Sequence, residues 1–92
     1  VELPVFVDQG GFHPVYVGAL PPQLAALVHT SSLIEEMAIE AALTGDARLV
    51  MQSILHDPLT AAVLSLSEIH SMVTHMFHQN RDYLSYFKNL EV

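Results

Sequence analysis

The chain has 92 residues, and ten carboxylates stand against three Lys or Arg, for a net charge of −7. That balance excludes nucleic acid and anionic membrane surfaces as partners, since both need a basic patch. With no cysteine, disulfide staples, zinc fingers and thiol nucleophiles are excluded as well.

A chain of this length is one domain or a piece of one, and its own core buries only about 60–65% of the unfolded surface. Apolar residues make up 51% and charged residues only 14%, against roughly 25% charged in an ordinary soluble domain. A small body has proportionally more surface and needs more charge, so part of this surface is expected to be covered by another domain or subunit. The chain begins at Val1 rather than Met, and a processed chain or a fragment is expected on that ground. No basic start precedes an apolar stretch, so no signal peptide is read. The uncharged stretch 9–34 is broken by Gly10, Gly11, Pro14, Gly18, Pro21 and Pro22, which argues against a membrane span.

In chain order, Val5-Phe6-Val7 and Val15-Tyr16-Val17 flank the turn cluster Asp8-Gln9-Gly10-Gly11. This predicts two short strands in a hairpin, which must join a larger sheet or lie on helices to be stable. Pro21-Pro22 suits a helix start, where a missing N–H costs nothing. Apolar positions Leu24, Leu27, Val28, Ile34, Met37, Ala38, Ala41 and Ala42 recur at helical spacing, with a kink or break expected at His29-Thr30-Ser31-Ser32. Apolar residues on several faces around 38–43 predict a centrally buried helix. Gly45 is a natural stop.

Asp46 is expected to cap the next helix, with Leu49, Val50, Ile54 and Leu55 as its buried stripe. Asp57-Pro58 is a further start signal. Ser65 and Glu68 fit a capping box ahead of the stripe Ile69, Met72, Val73, Met76 and Phe77. Residues 81–87 continue that helix or add a short turn, with Tyr83, Leu84 and Phe87 docking. Asn89 to Val92 is expected to fray. The predicted fold is α+β and mainly α: a short hairpin and then about four helical segments in one unit, 1–92.

The landmarks Val1-Glu2-Leu3-Pro4-Val5, Pro14-Val15-Tyr16-Val17-Gly18-Ala19-Leu20-Pro21-Pro22, Ile39-Glu40-Ala41-Ala42-Leu43-Thr44-Gly45-Asp46 and Asp57-Pro58-Leu59-Thr60-Ala61-Ala62-Val63-Leu64 stand in order. As a series they resemble the C-terminal region of glycoside hydrolase family 4, in its α-galactosidase and α-glucosidase branch. The resemblance implies part of a lactate/malate dehydrogenase-like C-terminal domain. It also implies a parent enzyme that uses NAD and a divalent metal, commonly manganese. Such enzymes oxidise the sugar at C3, remove the C2 proton, eliminate the aglycone, add water and return the hydride. That route differs from the two-carboxylate scheme of most glycosidases.

None of the parent's chemistry is assigned to this chain. No G-x-G-x-x-G follows a strand, so the NAD-binding Rossmann domain is absent from it. The family's metal ligands and tyrosine base lie upstream, and Tyr16, Tyr83 and Tyr86 match no catalytic motif. Two stretches depart from the branch: Val28-His29-Thr30-Ser31-Ser32 replaces a more polar Asn-Arg-Thr-Asn, and His78-Gln79-Asn80-Arg81-Asp82-Tyr83 replaces an Ala-His plus Trp pattern.

Individual residues receive modest roles. His75 and His78 share a helix face at i, i+3, but no carboxylate joins them and no H-E-x-x-H exists. Asp57 reads as a cap. Glu35, Glu36 and Glu40 read as a solvated face, and Met37, Met51, Met72 and Met76 as core or interface fillers. The loop Gly18 to Pro22 is the best candidate for touching function, chiefly by positioning. Catalytic, cofactor-binding and metal residues are therefore expected to be none. The expected partners are the remainder of a cytoplasmic parent glycosidase and further copies of it. The rival reading is a free-standing, non-enzymatic self-association module derived from such an enzyme.

Overall fold

A computed structural model describes residues 2–92; Val1, which opens the first landmark, lies outside the described residues. Strands β1 (Val5–Asp8) and β2 (Gly11–Pro14) form an antiparallel hairpin. Helices α1 (Pro22–Thr44), α2 (Ala47–Leu55), α3 (Pro58–Val63) and α4 (Leu66–Asn80) follow, then a 3₁₀ turn at Arg81–Tyr83. The mainly helical α+β layout agrees with the sequence.

The hairpin is tighter than the sequence suggests. The second strand is Gly11–Pro14 rather than 15–17, in the register Val5↔Pro14, Phe6↔His13, Val7↔Phe12 and Asp8↔Gly11. The Asp8 carboxylate accepts from the Gly10 amide at 2.7 Å, which turns the chain back within two residues. Gly11 adopts φ 113°, open to glycine, and pairing starts there. The Val15 amide reaches the Pro4 carbonyl at 3.0 Å. Pro4 has no N–H to return, so the ladder ends before Tyr16 and Val17 can join it.

Helix α1 runs unbroken through His29-Thr30-Ser31-Ser32, contrary to the expected kink. No Gly or Pro lies between 23 and 44, and His, Thr and Ser cost only about half a kcal/mol each in a helix. Its burial is also unlike the expectation, since Ala41 is its only buried residue. Among the elements of the described residues only α2 packs against it, and Tyr86 touches its last turn, so most of its apolar surface stays uncovered. The helix ends at Gly45, which takes φ 72° and donates to the Ala41 carbonyl at 2.8 Å. The Tyr86 hydroxyl donates to the Leu43 carbonyl, one of the last-turn acceptors that the helix leaves open. A Cβ on Gly45 would stand 3.1 Å from the Tyr86 carbonyl oxygen, so this joint needs glycine for space as well as for φ.

The core lies in the second half: Ala47, Met51, Ile69, Val73 and Phe77 are buried together. In α2 the centre of the buried stripe is Ala47 and Met51, with Val50, Ile54 and Leu55 flanking it half-buried. Three of the four expected stripe residues therefore pack on the core, Leu49 lies off the cluster, and the stripe's most buried members, Ala47 and Met51, are not among the expected four. Asp46 caps α2 through the Arg48 amide at 2.9 Å. Asp57 caps α3 through the Thr60 amide at 2.9 Å. Ser65 and Glu68 form the full capping box on α4.

On α4, Ile69, Val73 and Phe77 face inward, while Met76 is exposed. Leu84 and Phe87 dock on the core, with Phe87 6.4 Å from Phe77 between ring centroids. Tyr83 points away, because the 3₁₀ turn carries Leu84 rather than Tyr83 onto the core. The expected fraying of 89–92 is not found. Leu90 and Val92 pack on the core, and His70 Nε2 donates to the Val92 carbonyl at 2.5 Å.

Candidate functional site

Two measures locate what is unusual here. The accessible surface is 7395 Å², whereas a compact monomer of 10.1 kDa exposes about 5,300 Å². The radius of gyration is 17.0 Å, against about 12 Å for a compact chain of this length. The excess surface belongs to an arm made of the hairpin, the loop 15–21 and the first part of α1. Neither strand packs on any helix among the described residues.

The register sorts the hairpin into two faces, because directly paired residues and those two apart point the same way. One face holds Val5, Val7, Phe12 and Pro14 and is wholly apolar. The other holds Phe6, Asp8, Gly11 and His13. On it, His13 Nε2 donates to Asp8 Oδ1 at 2.9 Å. That contact, and then the Gly10 amide, hold the Asp8 carboxyl below its ordinary value. Phe12 is 80% exposed, Phe6 73% and Tyr16 88%. Leu20, Leu24, Leu27, Val28 and Leu33 continue the uncovered apolar surface onto α1. Contiguous apolar surface on this scale marks an interaction site.

The loop Gly18 to Pro22 joins the hairpin to α1. Gly18 has φ 97°, and the Pro21 carbonyl takes the Leu24 and Ala25 amides at 2.9 Å each. Pro22 has no amide proton, so the first turn has few donors left for an anion. The loop therefore sets the position of the hairpin relative to α1.

His75 and His78 are exposed on α4, and no group of three or more His, Cys, Asp or Glu among the described residues could hold a metal ion. Asp57 accepts from the Thr60 hydroxyl and amide; those donors, the hydroxyl first, hold its carboxyl below its ordinary value. Glu35, Glu36 and Glu40 are exposed along α1. Met51 is in the core, Met37 and Met72 are half-buried, and Met76 is exposed. Tyr16 and Tyr83 are exposed, and Tyr86 closes the α1–α2 joint through its bond to the Leu43 carbonyl. Sequence reasoning missed the apolar hairpin face, because it rests on a register that a Gly-Gly turn leaves open.

The arrangement is a small helical core carrying a long, exposed apolar arm. The chain belongs to a glycosyl hydrolase family, since residues 1–60 match the family 4 glycosyl hydrolase C-terminal domain. It is 39% identical over 88 residues to an alpha-galactosidase of Bacillus subtilis (strain 168), covering 96% of this chain and 20% of that protein. It is 38% identical over 76 residues to an alpha-galactosidase of Rhizobium meliloti (strain 1021), covering 83% and 16%. An alpha-glucosidase of Erwinia rhapontici is 28% identical over 88 residues, covering 96% and 18%. The chain thus spans about a fifth of the length of these relatives. No solved structure matches it. No helix among the described residues is long and apolar enough to cross a membrane.

Proposed function

We propose that this chain is the C-terminal portion of a family 4 glycoside hydrolase acting on α-glycosides, and that its arm docks on the rest of that enzyme. The arm closes the substrate side of the cleft and supplies contacts between subunits. The observation that carries the reading is the apolar arm left uncovered by the chain's own core. The excess of about 2,000 Å² exceeds the roughly 800 Å² that each partner contributes to a standard interface. The names of the relatives support an α-galactoside or α-glucoside as substrate.

The reading carries further parts: NAD and manganese as the parent's cofactors, a homo-oligomer, a cytoplasmic location, and kinship with the C-terminal domain of lactate/malate dehydrogenases. The described residues do not fit either cofactor. They offer no thiol, no clustered metal donors and no glycine-rich turn between a strand and a helix. Both groups would be held by other parts of the parent, and no chemical step is assigned to residues of this chain.

The test is turnover of aryl α-galactosides and α-glucosides by the protein that carries these residues, with NAD and manganese supplied. Val7→Ser with Phe12→Ser should lower that turnover together with assembly. Absence of turnover on every α-glycoside, with a homo-oligomer formed by these 92 residues alone, would favour the self-association module instead. Saturable NAD binding by the isolated chain would overturn the proposed division of labour.

A further inference from the structure

The positive charge of this acidic chain is gathered at one edge. Arg48, Arg81 and Lys88 are its only Lys or Arg residues, and among the described residues none has a carboxylate partner within 4.0 Å. Lys88 lines two adjoining hollows, one shared with Arg81 and the other with Arg48. The first is a groove of about 480 Å³ between α4 and the packed tail 87–92, within the size range of small-molecule sites. Its walls bring Arg81 and Lys88 together with Thr74 and His78 of α4, and Phe87 and Leu90 supply apolar surface. Glu91 is the one acidic side chain on the lining, and Val92 lies beside it. The Thr74 hydroxyl is buried without a hydrogen-bond partner. Buried hydroxyls without partners are rare, and this one belongs to a residue of the groove wall.

We propose that this groove binds a small phosphate-class anion, either free phosphate or a phosphate monoester. A guanidinium and an ammonium answer the ligand's charge, and the planar guanidinium fork suits two phosphate oxygens. His78 adds a ring N–H donor. Phe87 and Leu90 offer a surface for the carbon skeleton of a monoester. The site stands apart from the arm and from any glycoside chemistry.

The test is calorimetric titration of the intact protein that carries this chain, with inorganic phosphate in one arm and glycerol 3-phosphate in the other. Saturable binding is expected, weakened about tenfold or more by Arg81→Gln with Lys88→Gln. Arg48→Gln, in the adjoining hollow, should change it by less than about twofold. Tighter binding of glycerol 3-phosphate assigns the ligand as a monoester, and saturation by phosphate alone assigns the free ion. The proposal is overturned by no saturation, by equal binding of chloride, or by an equal loss with Arg48→Gln. Circular dichroism of each variant separates lost binding from lost fold.

Discussion

The N-terminal arm and the C-terminal body draw on similar residues and treat them in opposite ways. In the body, Ile69 and Val73 are shut off from water, and Phe77 and Phe87 pack ring against ring. In the arm, Phe6, Phe12, Val7 and Leu27 lie open. Both regions have well-formed secondary structure, so the difference is one of partners. Three elements and a folded-back tail converge on the body, whereas the hairpin has only its own two strands. Apolar sequence therefore records what a segment will eventually touch, and the chain's own fold supplies that contact for one half only.

The largest expected effect is in the body. Phe77→Ala should destabilise it by about 3–5 kcal/mol, read from urea unfolding of the chain. Phe6→Ser with Phe12→Ser should change the same unfolding midpoint by less than about 0.5 kcal/mol, while weakening assembly with the rest of the enzyme in sedimentation. Equal losses at both places would erase the distinction between arm and body.

The joint between the two regions comes next. Gly45→Ala should cost about 1–2 kcal/mol, because Ala resists the left-handed φ and its Cβ crowds Tyr86. Tyr86→Phe should cost about 1 kcal/mol by freeing the Leu43 carbonyl. Ser65→Ala should cost about 1 kcal/mol through the lost cap of α4, read as a lower thermal midpoint.

The smallest effect is with pH. The Ser65 hydroxyl and then the Ser65 amide hold the Glu68 carboxyl below its ordinary value, and Thr60 does the same for Asp57. A lowered folded-state value means that the stabilisation is complete above the ordinary carboxylate range and fades as pH falls through the lowered value. Helicity of α3 and α4 should therefore fall modestly in acid, and Ser65→Ala should flatten the part due to Glu68. A helicity that rises in acid would contradict the capping box as the cause.

Signals confined to a few neighbouring residues were legible in the sequence. Asp46, Asp57, Ser65 with Glu68, Pro22 and Gly45 all mark helix ends, because each acts on amides or carbonyls within four residues. The inward stripe of α4 was legible for the same reason. What failed depended on distant partners. Gly11 joins a strand because the Asp8 side chain closes the turn one residue earlier. The burial of Ala47 and Met51 follows from how α2 meets α1 and α4, which no local pattern fixes. Leu90 and Val92 pack because the chain folds back on α4, an event that no local pattern announces. The uncovered arm was legible only as a deficit of charge; which residues form it had to wait for the register. The groove beside Lys88 was only half legible: Thr74, His78 and Arg81 share one face of α4 and its C-cap at i, i+4 and i+7, but Lys88 and Leu90 reach that face only through the fold-back.

The αL glycine that ends α1 also acts at a distance. The helix beyond it is about 35 Å long, at 1.5 Å per residue. A swing of about 10° at Gly45 would displace the far tip by about 6 Å on that lever. The aim of the hairpin is therefore governed from the opposite end of the molecule, and a change beneath Tyr86 can misdirect it without altering a single residue of the surface it presents.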